Sequence, residues 1–359
     1  MPDFPWDRLS AAAELAGGHP DGVVDLSIGT PVDPTPALAR EALAAAADAP
    51  GYPYTAGTAD VREAAAGWLA RRFGVRGLDP AAVLPTIGSK ELVSLLPTLL
   101  GVGPGEVVVV PRLAYPTYDV GVRLAGGTLV AADGLHQLGP SRVRGVWVNS
   151  PATPTGRVLP AEHLRKVVDW ARERGAWVAS DECYLEFGWE ARPVSVLHPD
   201  VCGGDFTGLL AVHSLSKRSN LAGYRAGFVA GDPTLVRELL EVRRHAGLIV
   251  SAPVQAAMAA VLTEDGHVDR QRARYAARRS VLRPALAAAG FRIEHSEAGL
   301  YLWATRGEPG WTSVRRLAAL GILVAPGEFY GASGGRHVRV ALTATDERVA
   351  AAAHRLVES

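Results

Sequence analysis

Apolar positions along the chain fall into two patterns. Residues 59–74, "ADVREAAAGWLARRFG", read as an amphipathic helix with Asp60 at its start and Gly74 at its stop. Elsewhere the apolar runs are short and unbroken: "AVLPTIG", "EVVVVP", "TLVAAD", "GVWVNSP", "AWVASDE", "GLLAVHSLS" and "AGFVAG". Helical stretches separate several of them, among them "SKELVSLLPTLL", "YPTYDVGVRLAG" and "AEHLRKVVDWARERG". Strands that are apolar throughout are buried on both faces. The pattern predicts an α/β fold: a large domain with a mostly parallel seven-stranded sheet sandwiched by helices. From about residue 234 the chain turns helical. Its tail, with "FRIEHSEAGLYLWA", "ILVAPG" and "HVRVALT", reads as an antiparallel α+β layer. The expected division is 48–247 for the large domain, with a smaller α+β domain built from both chain ends, 1–47 and 248–359.

Composition narrows the function. The 359 residues carry 37 basic and 37 acidic side chains, so no net field favours nucleic acid or an anionic membrane as partner. Cys183 and Cys202 are too few for a disulfide framework and are expected as reduced thiols. No run approaches about 18 apolar residues, and "MPDFPWDRLS" lacks the apolar stretch of a signal peptide. A cytoplasmic protein is expected. The sequence has no GxxxxGK, GxGxxG, HExxH or GxSxG motif, and its ten histidines show no metal spacing.

What remains are polar residues at the carboxyl ends of strands, where an α/β sheet holds its ligand. There are four such places. In "TIGSKELV", Gly88 closes a strand and Ser89 and Lys90 open a helix, whose free N–H groups attract anions. "NSPATPTG" is a turn with Asn149 and Thr153 expected to be exposed. "SDECY" ends a buried strand with Asp181 and Tyr184. "SLSKRSNLAGYRAG" sets Lys217 beside Ser214 and Ser216, with Arg225 eight positions on. Each alone has a bland reading: a tight turn, a loop, a cap, a solvated lysine.

In this order the four resemble the fold-type I aminotransferases that use pyridoxal phosphate, the aspartate aminotransferase class. "HVRVAL" adds to the likeness, which covers nearly the whole chain. The resemblance implies a ping-pong transaminase of amino and keto acids. Lys217 would form the imine with the cofactor aldehyde, which needs a neutral amine. Arg225, Ser214 and the helix start at Gly88, Ser89 and Lys90 would bind the phosphate, with Ser216 orienting the loop. Asp181 would keep the pyridine nitrogen protonated, and Tyr184 would donate to the phenolic oxygen. Asn149 and Thr153 belong to the same cofactor set. Tyr115 would stack on the ring, although a core aromatic fits it equally. Tyr54 would reach the phosphate of a neighbouring subunit, implying a homodimer with shared active sites. Arg339 would grip the substrate α-carboxylate as a bidentate pair, with Gly29 leaving room for backbone contact.

The N-terminal stretch resembles actinobacterial-type N-succinyldiaminopimelate aminotransferases. That implies glutamate as donor and N-succinyl-2-amino-6-oxopimelate as acceptor. Arg243 and Arg244 are expected as solvated helix residues rather than readers of a distal carboxylate. Alternatives are a transaminase for an aromatic, aspartate-like or histidinol-phosphate substrate, a β-lyase or oxidase of the same fold, or a regulator's effector domain.

One position departs from the family pattern. The turn usually reads Asn-Pro-Thr-Gly, and its asparagine donates to the phenolic oxygen; here Thr153 stands in that place. A weaker donor favours the protonated form of the chromophore. The visible band of the cofactor-loaded protein should therefore titrate at higher pH than that of Thr153→Asn, measured by spectral titration of both. Equal midpoints would show that the site makes good the missing donor.

Overall fold

The computed structural model describes residues 1–134 and 142–358. A short strand, β1 (Val24–Asp25), precedes β2 (Val83–Ile87), β3 (Val107–Val110), β4 (Thr128–Ala131), β5 (Val143–Asn149), β6 (Trp177–Asp181), β7 (Leu209–Ser214) and β8 (Ala226–Gly231). The strands β2 to β8 form one seven-stranded sheet in the order β2-β8-β7-β6-β5-β3-β4. From β7 to β4 every pairing is parallel. The exception is β8, which runs against both β7 and β2. Their registers pair Ser214 with Gly227 and Ile87 with Ala226. The segment from β7 to β8 therefore turns back at one end of the sheet, beside the start of the helix that follows β2.

Strands β9 (Arg292–Glu294), β10 (Tyr301–Thr305), β11 (Ile322–Leu323), β12 (Ala325–Pro326) and β13 (Val338–Ala341) come from the tail. Four of them form an antiparallel sheet in the order β12-β13-β10-β9, while β1 pairs with β11. Both chain ends meet in one apolar cluster, where Leu9, Ala12 and Leu26 pack with Leu302, Trp303 and Val340. The helix Ala252–Thr263 was expected in the smaller layer. It packs instead on helices Ala37–Ala45 and Ala59–Phe73, within the cluster that covers the large sheet. At the start of Ala59–Phe73 the Thr58 hydroxyl accepts from the Val61 N–H at 3.3 Å, and Gly74 at φ +68° stops the helix as expected. Among the described residues, no helix is long and apolar enough to cross a membrane.

Arg243 corrects an expectation. It is fully buried rather than solvated. It donates to both carboxylate oxygens of Glu91, at 2.7 and 3.1 Å. Glu91 also accepts from the Ile87 N–H at 3.2 Å, so the pair holds the junction of β2 with the helix Gly88–Leu99. Arg244 is exposed and pairs with Glu241. A buried cation stripped of its carboxylate is costly. Glu91→Ala should destabilise the fold by about 3–5 kcal/mol, read by urea denaturation.

Candidate active site

The carboxyl ends of β2, β5, β6 and β7 converge with the smaller sheet on a cavity of about 860 Å³. Lys217 enters it from the short helix Leu215–Arg218. Ser214 caps that helix, its Oγ accepting from the Ser216 N–H at 3.1 Å. The Lys217 ammonium donates to the Gly29 carbonyl. Burial holds its pKa below the usual lysine value; Tyr301 opposes this, while the positive charges of Arg339 and Arg225 add to it.

Asp181 ends β6 and is buried. Its Oδ2 accepts from the Tyr118 hydroxyl at 2.9 Å, and its Oδ1 from the Cys183 N–H at 3.2 Å. Burial raises its pKa above the usual carboxylate range, and these hydrogen bonds temper the rise. Asn149 and Thr153 were expected to be exposed, and both are buried. The reason is register: Asn149 sits opposite Asp181 across β5 and β6. Its Nδ2 donates to the Asp181 carbonyl at 2.9 Å and its Oδ1 accepts from the Thr153 N–H at 2.6 Å. Asn149 thus ties two wall segments together from behind, while Thr153 lines the cavity.

At the other side of the cavity, Arg339 on β13 is buried with no acid partner in any ion pair among the described residues. One guanidinium nitrogen donates to the Ser27 carbonyl at 2.8 Å, and Nε has no partner. The guanidinium carbon lies 3.8 Å from the Tyr301 ring centroid and 4.8 Å from that of Tyr330. A buried guanidinium stacked on aromatics and free of carboxylate is a receptor for an anion. Tyr184 shares a 2.9 Å hydrogen bond with Tyr301, hydroxyl to hydroxyl.

The helix start after β2 forms a further wall. Gly88 has φ +69°, and a Cβ there would lie 2.3 Å from an Arg225 guanidinium nitrogen. Gly88 therefore makes room for Arg225 rather than lining the cavity itself. Arg225 holds a left-handed backbone, φ +57°, rare for a residue with a side chain. Ser89 lines the cavity and accepts from the Cys183 thiol at 3.3 Å. Lys90 is exposed, its ammonium 5.4 Å from the Phe4 ring centroid. Tyr115 lines the cavity, edge-on to Tyr118. Gly29 lines the cavity. A Cβ there would fall 2.2 Å from the Tyr301 hydroxyl, so the space belongs to Tyr301. The Tyr54 side chain is exposed and lies outside this cavity.

Tyr118, Tyr301 and Cys183 were not anticipated. "YPTYD" holds two tyrosines, and only the fold shows that the second one reaches Asp181. The cavity residues fit pyridoxal phosphate. Ser89, Ser214 and Arg225, the last given its space by Gly88, could cradle a phosphate. Asp181 supplies a carboxylate for the ring nitrogen, and Lys217 an amine for the aldehyde.

A family model described as "Aminotransferase class I and II" matches residues 21–356. A "probable aminotransferase" of Mycobacterium tuberculosis is 66% identical over 99% of this chain and 85% of its own length. The 4-dedimethylamino-4-oxo-anhydrotetracycline transaminase of Streptomyces rimosus is 62% identical over 99% of both chains. Among solved structures, a "probable N-succinyldiaminopimelate aminotransferase" of Thermus thermophilus superposes with a TM-score of 0.88 at 29% identity, covering 99% of this chain and 100% of that one.

Gly88→Ala should strain the backbone and displace Arg225. Its expected effect is a loss of pyridoxal phosphate affinity of roughly tenfold or more, equivalent to a strain of about 1–3 kcal/mol. Fluorescence titration of the cofactor-free protein reads it directly.

Proposed function

The chain belongs to the class I and II aminotransferases, and from that premise we propose that it transfers an amino group from glutamate to N-succinyl-2-amino-6-oxopimelate. It is a transaminase of a family that uses pyridoxal phosphate. The observation that carries the reading is one cavity lined by Lys217, Asp181, Arg225 and Arg339. When bound, pyridoxal phosphate supplies an electron sink for the charge that develops at the substrate Cα.

The chain's own residues do the rest. Asp181, oriented by the Tyr118 hydroxyl, holds the proton on the ring nitrogen. Tyr184 would donate to the phenolic oxygen, and Thr153 lines the same cavity. Ser89, Ser214, Ser216 and Arg225 would hold the phosphate, with Lys90 at the helix start, and Tyr115 would stack on the ring. Arg339 grips the α-carboxylate and fixes the Cα–H bond. Lys217 Nζ, biased by burial toward the neutral amine, takes the proton from Cα of the amino donor and, in the second half-reaction, delivers a proton to Cα of the acceptor.

The succinylated acceptor is supported by the likeness to the Thermus thermophilus protein and by a cavity whose volume suits a substrate of that size. A second reading has its own support. The Streptomyces rimosus relative bears the name of an oxo-anhydrotetracycline transaminase. The cavity wall is rich in aromatics, with Phe4, Trp6, Phe329 and Tyr330, which suits a flat polycyclic ketone. We further propose a cytoplasmic homodimer with shared sites, in which the exposed Tyr54 (75% accessible) reaches the partner's phosphate.

The purified protein should be yellow, and Lys217→Ala should lose both the colour and at least about 100-fold of turnover. A panel of acceptors with glutamate, scored by mass spectrometry, decides the substrate. A diamino product from the succinylated acceptor is expected. Amination of a polycyclic ketone alone would establish the second reading, and release of ammonia and pyruvate from an added β-substituted alanine would mark a β-lyase.

A further inference from the structure

Tyr301, the first residue of β10, is fully enclosed by chemistry that the sequence motifs assign to other residues. Its hydroxyl lies 2.9 Å from the Tyr184 hydroxyl. The same hydroxyl abuts Gly29, where a Cβ would approach to 2.2 Å, and the Gly29 carbonyl accepts from Lys217 Nζ. Its ring lies under the Arg339 guanidinium at 3.8 Å. One phenol thus joins the surroundings of the imine-forming lysine, the carboxylate grip and the donor to the phenolic oxygen.

We propose that Tyr301 is a positioning residue for transamination: its hydroxyl donates to the Tyr184 hydroxyl oxygen, which turns the Tyr184 hydrogen toward the phenolic oxygen of pyridoxal phosphate. The proposal rests on the reading of the site given above. Two hydroxyls in contact share one hydrogen between them, and the more acidic one donates. The groups that face Tyr301 are Arg339 from β13, Lys217 from the helix Leu215–Arg218, and Tyr184 and Cys183 from the segment after β6. Burial resists ionisation at both phenols. At Tyr301 the charges of Arg339 and Lys217 oppose it, and its pKa falls below the usual phenol value. At Tyr184 burial and the neighbouring Tyr301 prevail, and its pKa stands well above that value. Tyr301 carries the Arg339 guanidinium 3.8 Å from its ring centroid, which polarises its hydroxyl, so it acts as the donor. Tyr184 is left with one hydrogen, and among the described residues Tyr301 is the one hydrogen-bond partner of its hydroxyl. Since Tyr184 lines the cavity, that hydrogen is available to a ligand. Glycine at position 29 gains a reason as well, since any side chain there would evict the Tyr301 hydroxyl.

Tyr301→Phe keeps the ring under Arg339 and removes only the hydroxyl. Two measurements test the idea on Tyr301→Phe, Tyr184→Phe, the double variant and Gly29→Ala. The first is the visible-band titration of the cofactor-loaded proteins. Tyr301→Phe should raise the midpoint by roughly 0.5–1 pH unit, the equivalent of one net hydrogen bond. Tyr184→Phe should raise it at least as far, the double variant no further than Tyr184→Phe, and Gly29→Ala should follow Tyr301→Phe. The second is an alkaline ultraviolet titration of the cofactor-free proteins. Wild type should show one phenol ionising before the rest; Tyr301→Phe should lose that phase, and Tyr275→Phe, outside the cavity, should keep it. An unchanged midpoint in Tyr301→Phe, or fully additive shifts in the double variant, overturns the proposal and leaves the aminotransferase reading intact. Absence of any visible band in wild type overturns the reading of the site itself; the ultraviolet titration still decides whether Tyr301 is the acidic phenol, and a missing early phase refutes the proposal on its own.

Discussion

The reversed strand β8 is the constraint on which the site depends. A sheet of parallel strands alone would send the chain after β7 across a face, through a helix, and back to the far end of the sheet. Here the chain turns within residues 215–225 and pairs β8 antiparallel to both β7 and β2. That short return keeps Lys217 and Arg225 at the strand ends, on the same edge as Asp181. The register Ile87 to Ala226 then presses Arg225 against Gly88. Backbone pairing, more than any side-chain contact, decides that an arginine meets a helix start.

Electrostatics follow from that geometry. The cavity gathers Lys217, Arg225 and Arg339, against Asp181 as its buried acid. Desolvated cations without partners are unfavourable, and the chain meets the cost in distinct ways. Lys217 gives its hydrogen bond to a carbonyl and loses basicity. Arg339 spreads its charge over the Tyr301 and Tyr330 faces. Arg225 remains on the open side, where water reaches it. Arg225 and Arg339 are thereby left without carboxylate partners in any ion pair among the described residues, a setting that suits anionic groups.

Legibility in the sequence tracked how locally each function is encoded. Lys217, Ser214, Ser216 and Arg225 lie within one short stretch, and Asp181 and Tyr184 within another, so motif spacing carried them. The strands were legible because their apolar runs are unbroken. Arg243 was misjudged because its partner Glu91 is 152 positions away, and no charge pattern along one helix reveals such a pair. Asn149 and Thr153 were misjudged because a Pro-rich turn looks solvated until register buries it. Tyr301 sits in the apolar run "GLYLWA" and resembles a core residue, and Tyr118 follows Tyr115 in "YPTYD" with nothing local to set it apart. Their hydroxyls acquire meaning only when other elements deliver Asp181 and Tyr184 to them.

The distal wall of the cavity is built by a different principle from its chemical end. Lys217, Asp181 and Arg225 come from strand termini that the sheet holds rigidly. Phe4 and Trp6 come from the N-terminal segment, and Phe329 and Tyr330 from the loop after β12. Trp6 packs against Phe329 and Tyr330, and Arg8 pairs with Glu328, so this wall is one small aromatic cluster fastened by an exposed ion pair. Such loops tolerate substitution without disturbing the sheet. The aromatic surface of the first residues and of the short 3-10 turn after β12 is therefore the part of the cavity wall that the large sheet does not fix.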